Sequence, residues 1–269
     1  ASEVGVLDIP PEEILVKERL HPGRIFLVDT SKGRIIDDEE IKRELAAQHP
    51  YREWLDAHIV DIDDLPEAQS EQPAHESVLQ RQQAFGYTQE DLRLLLGPMA
   101  LQGEEPIGSM GTDTALAVLS QKPRLLFDYF KQLFAQVTNP PLDAIREELV
   151  TDMGSTIGPE RNLLKPEPES CRQIKIKYPI IHNEHVAKLR HLPPNSLFRS
   201  TTLSMLFDPA EKGRGLEYAM GDLCRQASEA VKAGYNIIIL SDRGVDAEHA
   251  AIPSLLATSG VHHHLVREG

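Results

Sequence analysis

The side chains best suited to chemistry follow a continuous apolar run near the C-terminal end. Ser241, Asp242 and Arg243 come directly after Asn236–Leu240 (NIIIL), which predicts a buried strand. Because the carboxyl ends of parallel strands face the site in α/β folds, an acid and a guanidinium here could bind a small polar molecule. The favoured interpretation is structural: Asp242 caps the turn and Arg243 pairs with a neighbouring acid. The sequence alone leaves both open.

Three successive histidines, His262, His263 and His264, raise the possibility of a metal centre. The run Val261–Val266 is predicted as a strand, in which successive side chains point to opposite faces, so only His262 and His264 could share an ion. Zinc requires three or four converging ligands, and no acid or cysteine lies at a suitable local spacing. We therefore expect packed or hydrogen-bonded histidines and no metal site.

A second candidate pair is Thr138 and Asn139, two small polar residues at the predicted end of a helix, before the rigid stop at Pro140–Pro141. Local capping of that helix is the alternative role. No phosphate-binding glycine motif and no nucleophile-elbow motif occurs anywhere in the sequence.

The elements that must position Asp242 alternate along the last seventy residues. Ser200–Phe207 and Asn236–Leu240 predict strands, and Leu216–Ala233 predicts a long helix between them. A further helix is predicted over Asp246–Ala257, before the strand at Val261–Val266. Such an order implies parallel strands with helical crossovers.

The N-terminal fifty residues predict a different, β-rich unit. Arg24–Asp29 and Arg34–Ile36 are extended runs separated by a turn, which is a hairpin pattern. Asp37 or Asp38 then caps a helix that runs to Ala47.

Residues 48–75 predict a connector between domains, because they hold three prolines and the acidic run Asp61–Asp64. We expect the connector to be ordered, since apolar side chains such as Trp54 and Ile62 could pack.

Composition limits the partners. The chain has 269 residues and a net charge of −14, from 28 Lys and Arg against 42 Asp and Glu, which argues against nucleic acid as a partner. The longest apolar run, Ala115–Leu119, is too short to span a membrane. Cys171 and Cys224 form no metal-ligand spacing, so we expect reduced thiols in a cytoplasmic protein. A start at Ala1 suggests a segment of a longer polypeptide.

Several long segments resemble the large subunit of glutamate synthase, in the family's order. They are Arg24–Leu45, Arg81–Ala100, Gly108–Leu164 and Leu240–Gly269. Agreement over separate long segments is far more specific than a short motif.

The resemblance implies an activity for the parent enzyme. Members of this family hydrolyse glutamine at an N-terminal cysteine, pass the ammonia through an internal tunnel, and add it to 2-oxoglutarate at a flavin to form glutamate. FMN and an iron–sulfur cluster are the cofactors of the parent, and none is expected in this segment. The expected partners are the rest of the chain and either a small NAD(P)H-oxidising subunit or ferredoxin.

The resemblance also implies a domain map. Residues 1–47 resemble the C-terminal tail of an Ntn-type glutamine amidotransferase domain, residues 48–86 a connector, and residues 87–269 the central domain, truncated at its C-terminal end. The implied fold is α/β, with an incomplete, degenerate (β/α) barrel-like central domain. Thr138 and Asn139 match the stretch that lines the ammonia tunnel.

The segment by itself is expected to be inactive, since the catalytic N-terminal cysteine has no counterpart. Two rivals remain: a free-standing domain with its own small-molecule site near Asp242 and Arg243, and a non-catalytic scaffold module.

Overall fold

The computed structural model describes residues 6–107, 117–121, 124–130, 141–194 and 196–269. The chain divides into two compact units, Ala1–Ala57 and His58–Gly269. The domain boundaries implied by the resemblance stay a prediction.

Most helices and strands of the described residues are short. The helices are α1 (Asp38–Ala46), α2 (Tyr51–His58), α3 (Val78–Ala84), α4 (Gly97–Gln102), α5 (Ala144–Val150), α6 (Asn183–Arg190), α7 (Lys212–Lys232) and α8 (Ser254–Glu268), with a π-helical turn over Asp91–Leu96 before α4. The strands are β1 (Leu27–Asp29), β2 (Arg34–Ile36), β3 (Ile59–Asp61), β4 (Ser155–Ile157), β5 (Gln173–Ile176), β6 (Ser200–Ser204), β7 (Leu206–Phe207), β8 (Ile237–Ser241) and β9 (Ala250–Ala251).

The first unit contains the predicted hairpin. β1 and β2 pair antiparallel, with Leu27 opposite Ile36. Gly33 sits in the turn at a φ of 64°, a left-handed conformation that favours glycine. The helix prediction is confirmed as well, because the Asp37 side chain accepts a hydrogen bond from the backbone N–H of Glu39 at the start of α1.

An apolar surface remains uncovered on this hairpin. Phe26, Val28 and Ile35 are exposed, whereas Ile36 and Ile41 are buried. Short strands with exposed apolar side chains and unpaired edges favour association with further chain.

Two clusters form the core of the second unit. The first packs β3, β5 and α6 together and contains Ile62, Ile174, Leu189 and Phe198. Ile62 is therefore buried, as the sequence predicts, whereas Leu55 and Ile59 are exposed. The role of this stretch as a connector stays a prediction.

The second cluster covers the parallel strands. β6 and β8 pair in parallel, from Ser200 opposite Ile237 to Ser204 opposite Ser241, and α7 lies between them in sequence. Leu223 of α7 and Val261 of α8 are buried in this cluster. The predicted crossover of strand, helix and strand is confirmed.

The last two predicted elements are wrong. The histidine run lies on helix α8, and β9 occupies part of the range predicted as the preceding helix. Ala257 and Val261 are buried four residues apart, the spacing at which helical residues share a face, so the run packs on α7 as a helix.

The described residues form four small separate sheets: β1–β2, β3–β5–β4, β6–β8 and β7–β9. The architecture is mixed α/β, and no closed barrel is formed by the described part of the chain.

Candidate functional site

Asp242 lies where the sequence places it, directly after β8, at the carboxyl edge of the parallel pair. It lines two cavities of about 830 Å³ and about 460 Å³. Phe85 and Val245 also line both, so the two cavities adjoin.

The larger cavity is mostly apolar. Leu95, Leu126, Met205 and Ile252 contribute to its wall. A ligand in this space would meet hydrophobic surface, with a small number of polar groups at one side.

Asp246 and His249 are among those polar groups, and they bind each other. Asp246 Oδ1 accepts hydrogen bonds from the backbone N–H groups of Glu248 and His249, at 2.8 Å each, and lies 2.9 Å from His249 Nδ1. The backbone N–H of Glu248 first, and then the His249 side chain, lower the pKa of Asp246. These hydrogen bonds give Asp246 a structural role, since they stabilise the turn in which it lies. Because its carboxylate is stabilised as an anion, it is poorly suited to accept and release a proton.

The smaller cavity is polar. Arg81, Asn183, Asp242 and Arg243 line it, together with Glu71. It therefore brings two guanidinium groups and two carboxyl groups around one space.

Arg243 pairs with an acid, as the structural interpretation predicts. Its Nη1 donates to the backbone carbonyl of Glu71 at 2.9 Å and lies 3.9 Å from Glu71 Oε2. Arg190 approaches the same oxygen at 3.8 Å and also donates to Ser241 Oγ at 3.3 Å.

These contacts belong to a larger set that we call the connector ion pairs. Lys188, only 5% exposed, lies 2.9 Å from Glu67 Oε1 and donates to the carbonyl of Asp63 at 3.1 Å. His185 Nε2 is 3.0 Å from Asp63 Oδ1. The full set lies within the second unit. It comprises Asp63, Glu67 and Glu71, in the stretch predicted to be a connector, and His185, Lys188, Arg190 and Arg243.

Sequence reasoning did not find this set. Asp63, Glu67 and Glu71 recur every four residues, and three bases fall within the six residues from His185 to Arg190. The regular spacing of the acids and the matching run of bases were the available signal. The acids and the bases, however, lie more than a hundred residues apart in the sequence.

The histidine run has a structural role at His264. Its Nε2 lies 2.8 Å from Ser228 Oγ, and the same hydroxyl donates to Glu268 Oε2 at 2.6 Å. Glu268 Oε1 is 3.6 Å from the same ring nitrogen. In a nucleophilic triad the acid binds the other nitrogen of the ring, so this cluster joins two helices instead.

Three other features considered from the sequence are the Thr138–Asn139 pair, a metal site and a membrane-spanning helix. Thr138 and Asn139 lie outside the described residues. Within the described ranges, no group of three histidine, cysteine or acidic side chains could hold a metal ion. The helices described are all too short or too polar to cross a membrane.

Comparison with known proteins identifies the family to which this chain belongs. Residues 80–269 match the glutamate synthase central domain, and residues 1–54 match the class-II glutamine amidotransferases. The whole chain is 43% identical to the large chain of an NADPH glutamate synthase from Bacillus subtilis, of which it covers 17%. It is 42% identical to a ferredoxin-dependent glutamate synthase from Synechocystis and 41% identical to an NADH glutamate synthase from Schizosaccharomyces pombe, covering 17% and 13% of them.

The two matches define a class of protein in which a glutamine amidotransferase region precedes a central α/β domain. The chain spans about a sixth of the length of the first of these relatives. It belongs to the glutamate synthase central domain family.

Proposed function

We propose that this chain is part of a glutamate synthase, which converts glutamine, 2-oxoglutarate and a reductant into two molecules of glutamate. The observation that carries the proposal is the order of the two family matches, amidotransferase first and central domain second, within a chain that aligns over its full length with the relatives. The segment then connects a glutaminase domain to an FMN domain.

The domain map inferred from the resemblance goes with this proposal: an amidotransferase tail over 1–47, a connector over 48–86 and a truncated central domain over 87–269. The central domain is proposed to be a degenerate relative of a (β/α) barrel. Support comes from the parallel pair β6–β8 with its intervening helix, the unit from which such barrels are built.

The parent's cofactors are proposed to bind outside this segment. An iron–sulfur cluster of the usual kind takes four cysteine ligands, and this sequence contains two cysteines. Cys171 and Cys224 form no disulfide, which supports a reducing compartment such as the cytoplasm. The electron donor is proposed to be a small NAD(P)H-oxidising subunit or ferredoxin.

The connector ion pairs suit the connecting role. The linker is held by contacts of Asp63 with His185 and Lys188, by the pairing of Glu67 with Lys188, and by the hydrogen bond from Arg243 to the Glu71 carbonyl. These contacts keep its path along the central domain, and a fixed path gives a defined attachment point for the preceding domain. With a flexible linker, the position of the preceding domain would not be fixed.

Thr138 and Asn139 are proposed to line the ammonia tunnel. Ammonia must stay neutral to pass, and neutral hydrogen-bonding side chains do not trap it as ammonium, whereas an acidic side chain would favour the charged form.

The test replaces Thr138 or Asn139 with leucine in the complete enzyme. The expected result is more than one glutamine hydrolysed per reductant oxidised, because blocked ammonia escapes before it reaches 2-oxoglutarate. Thr202→Leu, at an exposed position of β6, is the matched control and should keep the ratio at one. Unchanged coupling in both tunnel variants would reject the tunnel role.

A further inference from the structure

The carboxylate of Glu71 is held loosely between two arginines. Its Oε2 lies 3.8 Å from Arg190 Nη1 and 3.9 Å from Arg243 Nη1, beyond hydrogen-bond distance, and the side chain is 76% exposed. Ion pairs of this kind contribute little to stability. A ligand carboxylate with better geometry could therefore displace it at small cost.

One of these two arginines, Arg190, has a hydrogen-bond donor that the described residues leave unused, although Arg190 itself does not line the adjoining cavity. Arg190 Nε is buried and has no hydrogen-bond partner among the described residues. A buried guanidinium nitrogen without an acceptor is unusual, because leaving such a donor unsatisfied costs free energy. It indicates that this charged cluster is short of acceptors.

The adjoining 460 Å³ cavity supplies further anion-binding groups. Arg81 and Arg243 line it, and so does Asn183, the first residue of α6. His182, the N-cap of that helix, makes no side-chain cap, so the first N–H groups of α6 receive no capping oxygen from it. The cavity lies within the 300–1,000 Å³ typical of small-molecule sites.

A negative group faces the positive ones. Asp242 lines the cavity together with the arginines, while Phe85 and Val245 provide apolar wall. Two arginines, a carboxylate in addition to that of Glu71, and an apolar wall in one space match a molecule that carries a carboxylate, an ammonium and a small side chain. They do not match a phosphate dianion, which Asp242 and Glu71 would repel.

We propose that this cavity is a binding site for an α-amino acid. The ligand carboxylate takes the place of the Glu71 carboxylate beside Arg190 and Arg243, with Arg81 as a further cation in the cavity wall. The ligand ammonium binds Asp242. The inference stands on the geometry of the His58–Gly269 unit and does not rest on the glutamate synthase activity.

The site is tested by calorimetric titration of the 269-residue chain with each of the twenty protein amino acids, followed by the deamino analogue of whichever binds. Inorganic phosphate is a separate probe. An amino acid should bind, and loss of its ammonium should weaken binding about tenfold, the effect of losing one charge-assisted hydrogen bond.

Three variants separate binding from folding. Glu71→Gln removes the internal competitor and should tighten binding several-fold, whereas a purely structural Glu71 would leave binding unchanged. Arg243→Gln should weaken binding about tenfold or more. Arg243→Lys keeps the positive charge but loses the paired N–H donors of the guanidinium, so its affinity should lie between those of Arg243→Gln and the unmodified chain. Far-UV circular dichroism and thermal melting establish that each variant is folded.

Several results would overturn the proposal. They are the absence of amino acid binding in both the parent chain and Glu71→Gln, binding that Arg243→Gln leaves intact, and phosphate binding as tight as that of any amino acid.

Discussion

Ser228 of α7 and His264 of α8 lie with Oγ and Nε2 2.8 Å apart, in a cluster that Glu268 completes. Since the Ser228 hydroxyl donates its proton to Glu268, it accepts from His264, whose Nε2 must then carry a hydrogen. Ser228 is buried, so the cluster lies where the two helices pack. A residue from a run that resembles a metal site thus joins the two helices covering the parallel strands.

This cluster should contribute to stability. We expect Ser228→Ala and His264→Ala each to lower the free energy of unfolding by about 1 kcal/mol, the usual contribution of a hydrogen bond. Because both changes break the same contact, the double variant should lose less than the sum of the two. Urea denaturation measures all three. His263→Ala, at an exposed neighbouring position, is the control, and an equal loss there would contradict the assignment.

Lys188 should anchor the connector. Replacing it with alanine removes a contact with Glu67, a hydrogen bond to the Asp63 carbonyl, and a buried aliphatic stem, so we expect a loss of about 2 kcal/mol. The connector should also become more susceptible to limited proteolysis. Lys175→Ala, at an exposed position of β5, is the matched control. Equal stability and equal cleavage in both variants would show that the connector is held by other contacts.

Asp246 predicts a pH dependence. Its pKa is lowered from 3.8, so its contribution to stability is fully present above pH 3.8 and is lost as the pH falls through the lower value of the folded state. Asp246→Asn should therefore be less stable than the parent chain at pH 7, and the difference should shrink below pH 3.8. Denaturant titrations at several pH values measure it. A difference that stays constant down to pH 2 would contradict the prediction.

Cys224 should be an unreactive thiol near neutral pH. Burial raises its pKa above the ordinary value of 9.0, which Arg267 opposes only in part. In a Cys171→Ser background, the rate of alkylation by iodoacetamide should rise with pH and reach half its maximum above pH 9. A midpoint below pH 9 would show that the thiol is not desolvated as the structure indicates.

The elements predicted from sequence are those with strong local signals. A turn glycine between two extended runs predicts the β1–β2 hairpin, and Asp37 is a good N-cap by composition alone. Asn236–Leu240 is apolar throughout and adjoins a long amphipathic helix, so the parallel pair β6–β8 follows from local pattern as well.

The elements missed depend on distant partners. His264 sits in an apolar-flanked run that fits a strand or a helix, and packing of Val261 against α7 decides between them. Likewise, Lys188 looks like a surface lysine until the connector brings Glu67 to within 2.9 Å of it. Charge pairs between segments this far apart in sequence leave no local pattern.

This chain is proposed to work as a connecting segment within a glutamate synthase polypeptide. The most direct measurement is the mass of the native polypeptide that carries these residues, isolated with an antibody against this chain. We expect a polypeptide about six times as long as this chain, since the chain covers 17% of the Bacillus subtilis relative. It should also form glutamate from glutamine and 2-oxoglutarate. A native polypeptide of 30.0 kDa, the mass of this chain alone, would show that the chain is not a segment of a larger enzyme.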